Sequence, residues 1–404
     1  MKRLYFINRF YYPDLSSTSQ LLTDLAEVLS KNNFDVHIIA SSQLYEDPKA
    51  RLEKDEVING VHVHRLRTTR FGRANLWGRG LDYISFYISL LFYVLANTKK
   101  DDVLVAKTDP PLISVIIAFI AIFKKIKLVN WIQDLFPEVA KELSNDSFNN
   151  LLFLCLKRLR DWSLQAAKMN IVIGQIMKQR LIDNGIDINK ITVINNWHIG
   201  TGDRAKKEEI NELRQSWGLN NKFVVGYSGN LGRAHDYLIF LKAARIIKDR
   251  KDIVFLFIGG GTGMNELKAK VKAEGLGNFV FKDYQPRSIL NISLAVPDIH
   301  LISLKPSMEG LIFPSKFYGI VASSRPIGFI GSLDGEISRL IEKSKLSFCV
   351  GSDDENTLVK RIIGVMSEYN NLGSSIIEAR CIEEYPKSVK LDIELWKNIL
   401  QQTG

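Results

Sequence analysis

The chain has 404 residues, enough for two domains that each bury a core, and a formal net charge of +10. A basic balance suits nucleic acid, anionic lipid or phosphorylated metabolites, and the lack of a helix-turn-helix, zinc-ligand spacing or aromatic RNA-binding motif excludes nucleic acid. Cys155, Cys349 and Cys381 form no CxxC, which excludes structural zinc and a disulfide framework and points to a reducing cytosol.

The first residues are too short in apolar side chains for a signal peptide and read as a strand over 4–8. A helix follows over 20–31, with Leu21, Leu22, Leu25, Val28 and Leu29 at helical spacing. Residues 34–40 form the next strand, and 57–67 alternate around Gly60 as a hairpin. Strands at 103–106, 127–132, 171–173 and 190–194 complete the first series. The polar run 201–212 is the linker. A second series has strands at 223–227, 253–258, 279–282, 299–304 and 327–330, with helices over 237–248 and 266–274. Short apolar runs separated by helices are the pattern of parallel sheets covered on both faces. The expected fold is α/β, two doubly wound Rossmann-like domains facing across a cleft, 1–204 and 205–385. A terminal helix within 386–404 packs back on the first domain. Ligands of such sheets sit at the carboxyl ends of the strands.

Two apolar stretches, Tyr83–Ala96 and Leu112–Phe123, are each followed by lysines. Both are shorter than the roughly 18–20 residues that span a bilayer. Each is therefore either a helix buried against the sheet or an interfacial helix with its lysines on anionic lipid; the first, rich in aromatics, is the better membrane candidate.

The loops after the strands hold the chemistry. Tyr11–Ser19 places Ser16, Ser17 and Thr18 before the first helix, as an acceptor surface or as helix caps. Asp109 in Thr108–Pro111 and Asp134 in Gln133–Glu138 follow two further strands. Asp109 reads chiefly as a cap; Asp134 reads equally as a cap or as a group that orients an acceptor hydroxyl or meets positive charge developing on a sugar. In the second domain, Ser228–Asp236 follows a strand and opens a helix, with Gly229 for the turn and Arg233 to grip a phosphate. Gly259–Gly263 also follows a strand, but Met264 occupies the place of the last glycine of a dinucleotide fingerprint. Gly260 and Gly261 then pack a nucleoside or serve only the turn. Met308–Ile320 combines Glu309, Ser315 and Lys316 with a helix start, where backbone N–H groups and partial positive charge favour phosphate. That combination predicts a sugar–diphosphate site. His62 and His64 are a weak metal pattern, and no Asp-x-Asp occurs, so no metal and no cofactor are expected.

Tyr-Tyr-Pro-Asp (11–14), Thr-Asp-Pro-Pro (108–111), Gln-Asp-Leu-Phe-Pro-Glu (133–138), Asn195-Asn196-Trp197, Ser228–Arg233 and Pro314–Gly319 together resemble the GT-B glycosyltransferases of retaining family 4, in the WbuB-like bacterial branch that builds capsule and O-antigen units. The resemblance covers nearly the whole chain. It implies that Arg233 and Lys316 hold the donor diphosphate, that Glu309 contacts the donor sugar, and that Pro286 and Arg287 lie near the base. Gly319 stands where many members carry a second Glu for the ribose, and Gln133-Asp134 where many carry a His. The implied activity is metal-independent, retaining transfer from a UDP-sugar to a polyprenyl-diphosphate-linked saccharide, by a cytoplasmic enzyme peripheral on the inner membrane face. Other readings are a non-catalytic scaffold binding lipid-linked saccharide and an epimerase acting on UDP-GlcNAc.

Overall fold

The computed structural model describes residues 2–45, 47, 49–72, 76–144, 149–198, 205–384 and 392–403. The chain divides into two compact units, one of Met1–Asn196 with Gly310–Phe313 and Leu391–Gly404, the other of Trp197–Glu309 with Pro314–Lys390. Residues 201–204 of the expected linker and 386–391 of the expected terminal segment lie outside the described residues.

The first unit is built on β1 (Arg3–Ile7), β2 (Asp35–Ser41), β3 (Asp55–Ile58), β4 (Val61–Leu66), β5 (Val103–Ala106), β6 (Lys127–Ile132), β7 (Met169–Val172) and β8 (Ile191–Val193). They form one sheet in the order β3-β4-β2-β1-β5-β6-β7-β8, parallel except where the hairpin strand β3 runs against β4. Its helices are α1 (Ser17–Lys31), α2 (Leu76–Asn97), α3 (Ile113–Lys124), α4 (Glu138–Leu143), α5 (Asn150–Ala166) and α6 (Gln175–Asp183). Strands buried on both faces read as continuous apolar runs, which is why β5 and β6 coincide with the sequence reading.

The second unit carries α7 (Lys207–Ser216), β9 (Phe223–Ser228), α8 (Leu238–Ile246), β10 (Ile253–Ile258), α9 (Thr262–Ala273), β11 (Phe279–Lys282), α10 (Leu290–Ala295), β12 (Ile299–Ser303), α11 (Lys316–Ala322), β13 (Ile327–Ile330), α12 (Glu336–Ile341), β14 (Phe348–Val350), α13 (Glu355–Leu372) and α14 (Ser374–Glu384). Its sheet is wholly parallel, in the order β11-β10-β9-β12-β13-β14. Both units are therefore doubly wound.

Several elements depart from the expectation. Helix α1 begins at Ser17, because its polar first turn lies ahead of the apolar stripe that marks it in the sequence. Helix α9 starts directly after Gly261 and takes Gly263 into its first turn. The stretch taken as Tyr83–Ala96 belongs to a 22-residue helix, α2, long and apolar enough by composition to cross a membrane, although no membrane is present. Its length was hidden because Asp82 interrupts the apolar run. Asp82 is wholly buried, paired with the buried Arg9 at 3.1 Å, and accepts from the backbone N–H groups of Phe71 and Gly72. Helix α2 buries Phe86, Leu90 and Val94 against α3 and the sheet, while Trp77, Leu81, Ile84, Ile88, Phe92 and Leu95 are exposed. Helix α3 likewise buries Ile113 and Ile117 and exposes Phe119, Ile122 and Phe123, so neither stretch is simply a buried helix. Across β2 and β4 His37 bonds His64 at 3.0 Å, and Asp35 and Asp55 take their other nitrogens; among the described residues no group of three side chains gathers to hold a metal.

The terminal helix α15 (Ile393–Thr403) belongs to the first unit and packs against α1. Trp396 is fully buried, edge-on to Trp131 at 4.8 Å and tilted against Phe6 at 6.4 Å. Trp396→Ala removes the whole ring from a packed site, and the expected cost is about 3–5 kcal/mol. Urea unfolding followed by circular dichroism should show the first transition at lower denaturant, with the final helix released.

Candidate functional site

On the second unit three loops at the carboxyl ends of neighbouring strands converge. The turn after β9 and the turn after β10 are laced together: Gly229 N–H donates to Ile258 O at 2.8 Å, Leu231 N–H to Gly260 O at 2.8 Å and Gly263 N–H to Leu231 O at 2.9 Å. Gly259 has φ +123° and a Cβ there would lie 2.5 Å from the carbonyl oxygen of Gly229, so the approach is open only to glycine. Tyr284 covers Gly259 and Gly260.

Lys316 opens α11 beside this turn. A Cβ on Gly229 would sit 3.7 Å from its Cε. The ammonium donates to Tyr227 Oη and, at 3.3 Å, to Asn230 O, and lies 3.8 Å from the centre of the Tyr227 ring. Both oxygens are neutral. Burial pushes the Lys316 pKa well below the usual lysine range. Tyr227 is itself buried, stacked on Phe257 at 5.4 Å, and burial raises its phenol well above 10. His235 turns its Nδ1 to Ser303 O, and burial with the nearby Lys316 charge lowers its pKa to about 3, so the ring is neutral. Tyr227, Asn230 and His235 carry none of the roles expected from the sequence. Only their place within or beside the Ser228–Asp236 loop could have signalled them.

The other expected donor residues are placed as follows. Arg233 is exposed and, among the described residues, has no ion pair or hydrogen bond. Ser315 is exposed at the N-cap of α11 but makes no side-chain cap bond. Glu309 follows β12, and its Oε1 accepts from Glu336 N–H at 2.9 Å at the start of α12. Gly319 faces Leu294 and His198: a Cβ there would lie 3.2 Å from the first and 3.8 Å from the His198 Nδ1. His198 has its pKa lowered by burial, opposed by a hydrogen bond to Asn291 and reinforced by the charge of Arg287. Arg287 opens a short 3-10 turn capped by Pro286. The structure thus joins Gly229, Gly260, Gly261 and Lys316 in one group and Arg287 and Gly319 in another around His198.

On the first unit the corresponding centre is Lys107, at the end of β5 and missed from the sequence although it directly follows an apolar strand. It is buried, donates to Thr18 O at 2.9 Å and lies 3.6 Å from the Trp131 ring centre. Burial lowers its pKa well below the lysine range, while Asp134 and Asp109 oppose the shift. Protein atoms crowd the Asp134 carboxyl although the residue keeps an exposed edge; burial and then the Asp109 charge raise its pKa to about 6, against the pull of Lys107. Neither Asp109 nor Asp134 holds an N-cap position: Leu112 and Pro137 do so for α3 and α4, without side-chain cap bonds. Their charges are drawn to Lys107 instead. Ser16 is the N-cap of α1 but bonds Asp14 rather than the helix. Gln133 is closed off in a buried amide pair with Asn196, at 2.8 and 3.1 Å.

Three comparisons bear on this arrangement. The sequence profile of Glycosyltransferase Family 4 matches residues 18–197. The chain is 27% identical over 307 residues to the Pseudomonas aeruginosa protein named "Probable glycosyltransferase WbjE", covering 72% of this chain and 74% of that one. It is 25% identical over 193 residues to the Escherichia coli protein named "Putative colanic acid biosynthesis glycosyl transferase WcaI", covering 47% of each. In fold it resembles the crystal structure of Anabaena HepE in complex with UDP and glucose, with a TM-score of 0.71 and 15% identity over 100% of this chain and 98% of that one.

Gly259→Ala tests the interlocked turns. A positive φ and a backbone clash together should cost about 1–3 kcal/mol, whereas Gly277→Ala, with nothing within 4 Å of its Cβ, should be near neutral. Thermal unfolding of the two variants side by side measures the difference.

Proposed function

Since the chain is a GT-B glycosyltransferase of family 4, we propose that it transfers a sugar, with retention and without a metal, from a UDP-sugar to a saccharide carried on a polyprenyl diphosphate, in the building of a bacterial surface polysaccharide. An N-acetylated amino sugar is among the donors that fit. The observation that carries the reading is the Lys316 ammonium, held against the Gly229 turn with only neutral oxygens as partners. A half-buried cation of that kind is completed by an anionic ligand, and a donor diphosphate supplies one. Arg233, unpaired on the same loop, closes on the outer phosphate, with Ser315 and Gly229 beside it. As the sugar–phosphate bond breaks, charge grows on the UDP oxygen and these fixed cations stabilise it. Glu309, oriented by its bond to the start of α12, holds the donor sugar. Gly260 and Gly261 take the nucleoside, and Pro286, Arg287 and Gly319 the base and ribose region. On the first unit Asp134 orients the acceptor hydroxyl, with Ser16, Ser17, Thr18 and Asp109 lining the acceptor. The name of WbjE supports glycosyl transfer, that of WcaI, with its colanic acid biosynthesis, supports the polysaccharide context, and HepE, solved with UDP, supports the nucleotide. The exposed apolar residues of α2 and α3, next to Lys99, Lys100 and Lys125, favour a cytoplasmic enzyme peripheral on the inner membrane face.

Two measurements test this. UDP should raise the melting temperature of the wild type with or without EDTA, more than GDP or ADP does, and the shift should shrink in Lys316→Ala and Arg233→Ala. Each variant should also lose on the order of 2–4 kcal/mol of transition-state stabilisation, about 30- to 1000-fold in turnover. Wild-type rates in both would sink the donor assignment.

The second is a pH–rate profile. If the Asp134 carboxylate is the working form, activity falls as pH drops through about 6, where the group takes up its proton. Asp134→Asn should have low activity and lack that limb; an unchanged limb would remove Asp134 from the mechanism.

A further inference from the structure

A cavity of about 380 Å3 that none of these roles uses lies at the carboxyl ends of β2 and β4. Arg51, Lys54, Arg65, Arg67 and Arg70 line it together with Ser42. Arg65 is buried: its guanidinium bonds Glu56, the Glu53 carbonyl at 2.9 Å and the Tyr12 carbonyl at 2.8 Å, and its buried Nε has no hydrogen-bond partner. Lys54 pairs with Asp55 at 3.7 Å, and Arg70 reaches Ser42 Oγ at 3.4 Å. Among the described residues no carboxylate pairs with Arg51, Arg67 or Arg70. Like charges gathered around one hollow repel each other, and a multiply charged anion relieves that repulsion. The arginine fork suits phosphate oxygens in particular.

The surroundings narrow the anion further. The segment carrying Arg67 and Arg70 is strapped to α2: Ser89 Oγ donates to Arg67 O at 2.8 Å, Thr69 N–H donates to Ser85 Oγ at 3.0 Å, and Thr69 Oγ1 donates to Asp82 at 2.7 Å. The same helix exposes Trp77, Leu81, Ile84, Ile88, Phe92 and Leu95, successive positions three or four apart and therefore one stripe. A cationic hollow tied to an apolar stripe complements a molecule with a phosphorylated head and a long hydrocarbon tail. The bond from Arg65 to Tyr12 also joins the hollow to the loop that leads to Ser16–Thr18.

We propose that this arginine-lined cavity binds the diphosphate of the acceptor lipid, with its isoprenoid chain lying along the exposed stripe of α2. The assignment deepens the acceptor reading given above and rests on it.

Calorimetric titration of the full chain with geranylgeranyl diphosphate, geranylgeraniol and, separately, UDP tests it. The diphosphate should bind at least about tenfold more tightly than the alcohol, each charge-assisted contact being worth roughly that factor. Arg67→Gln/Arg70→Gln should lose about tenfold or more of that affinity, and Arg51→Gln, at an exposed position that spares folding, should lose several-fold. UDP affinity should be unchanged in both. Equal binding of diphosphate and alcohol, or diphosphate affinity unchanged in the variants, would overturn the proposal. Arginine-dependent binding to phosphatidylglycerol vesicles without binding of the prenyl diphosphate would also overturn it, in favour of bulk headgroups. Arginine-dependent diphosphate binding by a wild type that ignores UDP would support this site while defeating the donor assignment.

Discussion

An ammonium half withdrawn from water with no carboxylate as a partner is costly, and Lys316 is in that position. What holds it there is local and rigid. The Tyr227 ring lies beneath the charge, the Tyr227 hydroxyl and the Asn230 carbonyl accept from it, and Tyr227 is fixed in turn by stacking on Phe257. A cation over an aromatic face recovers part of the lost hydration, more so when desolvated. The remainder is left for a ligand to supply. The tight glycine turns follow from the same need, since only residues without Cβ let the β9 and β10 loops close to hydrogen-bonding distance beside that lysine.

The first unit treats its buried cation in the opposite way. Lys107 has Asp109 and Asp134 as electrostatic partners that oppose the lowering of its pKa by burial, and it in turn holds down the Asp134 carboxyl, which burial and the Asp109 charge raise to about 6. The two units thus differ in how each answers a single lysine, the first with carboxylates and the second, among the described residues, with neutral oxygens.

Asp82 shows how one polar residue shapes a surface. By drawing Arg9 and the backbone of Phe71 and Gly72 onto the polar side of α2, it fixes the rotation of that helix. The apolar residues left over then form an outward stripe beside an arginine-rich segment. Amphipathic character here arises from a buried ion pair as much as from hydrophobic periodicity.

Period and punctuation in the sequence were enough to determine the class of fold. Runs such as 103–106, 127–132 and 253–258 are largely apolar on both faces and polar residues or glycine follow them, so the parallel doubly wound plan and the strand–loop–helix passage at Lys316 could be read without coordinates. Helix α5 and strand β14 were not legible, the first because its leucines face outward, the second because three residues carry no period. Roles that depend on a partner distant in sequence were decided only by tertiary structure. Asp109 reads chiefly as a cap and Asp134 equally as a cap or an orienting group until Lys107 is seen buried within reach of their charges, and Gln133 is closed by an amide pair with Asn196, 63 residues away. Local geometry is encoded in neighbouring residues, whereas burial and charge compensation arise only when the chain brings remote side chains into contact.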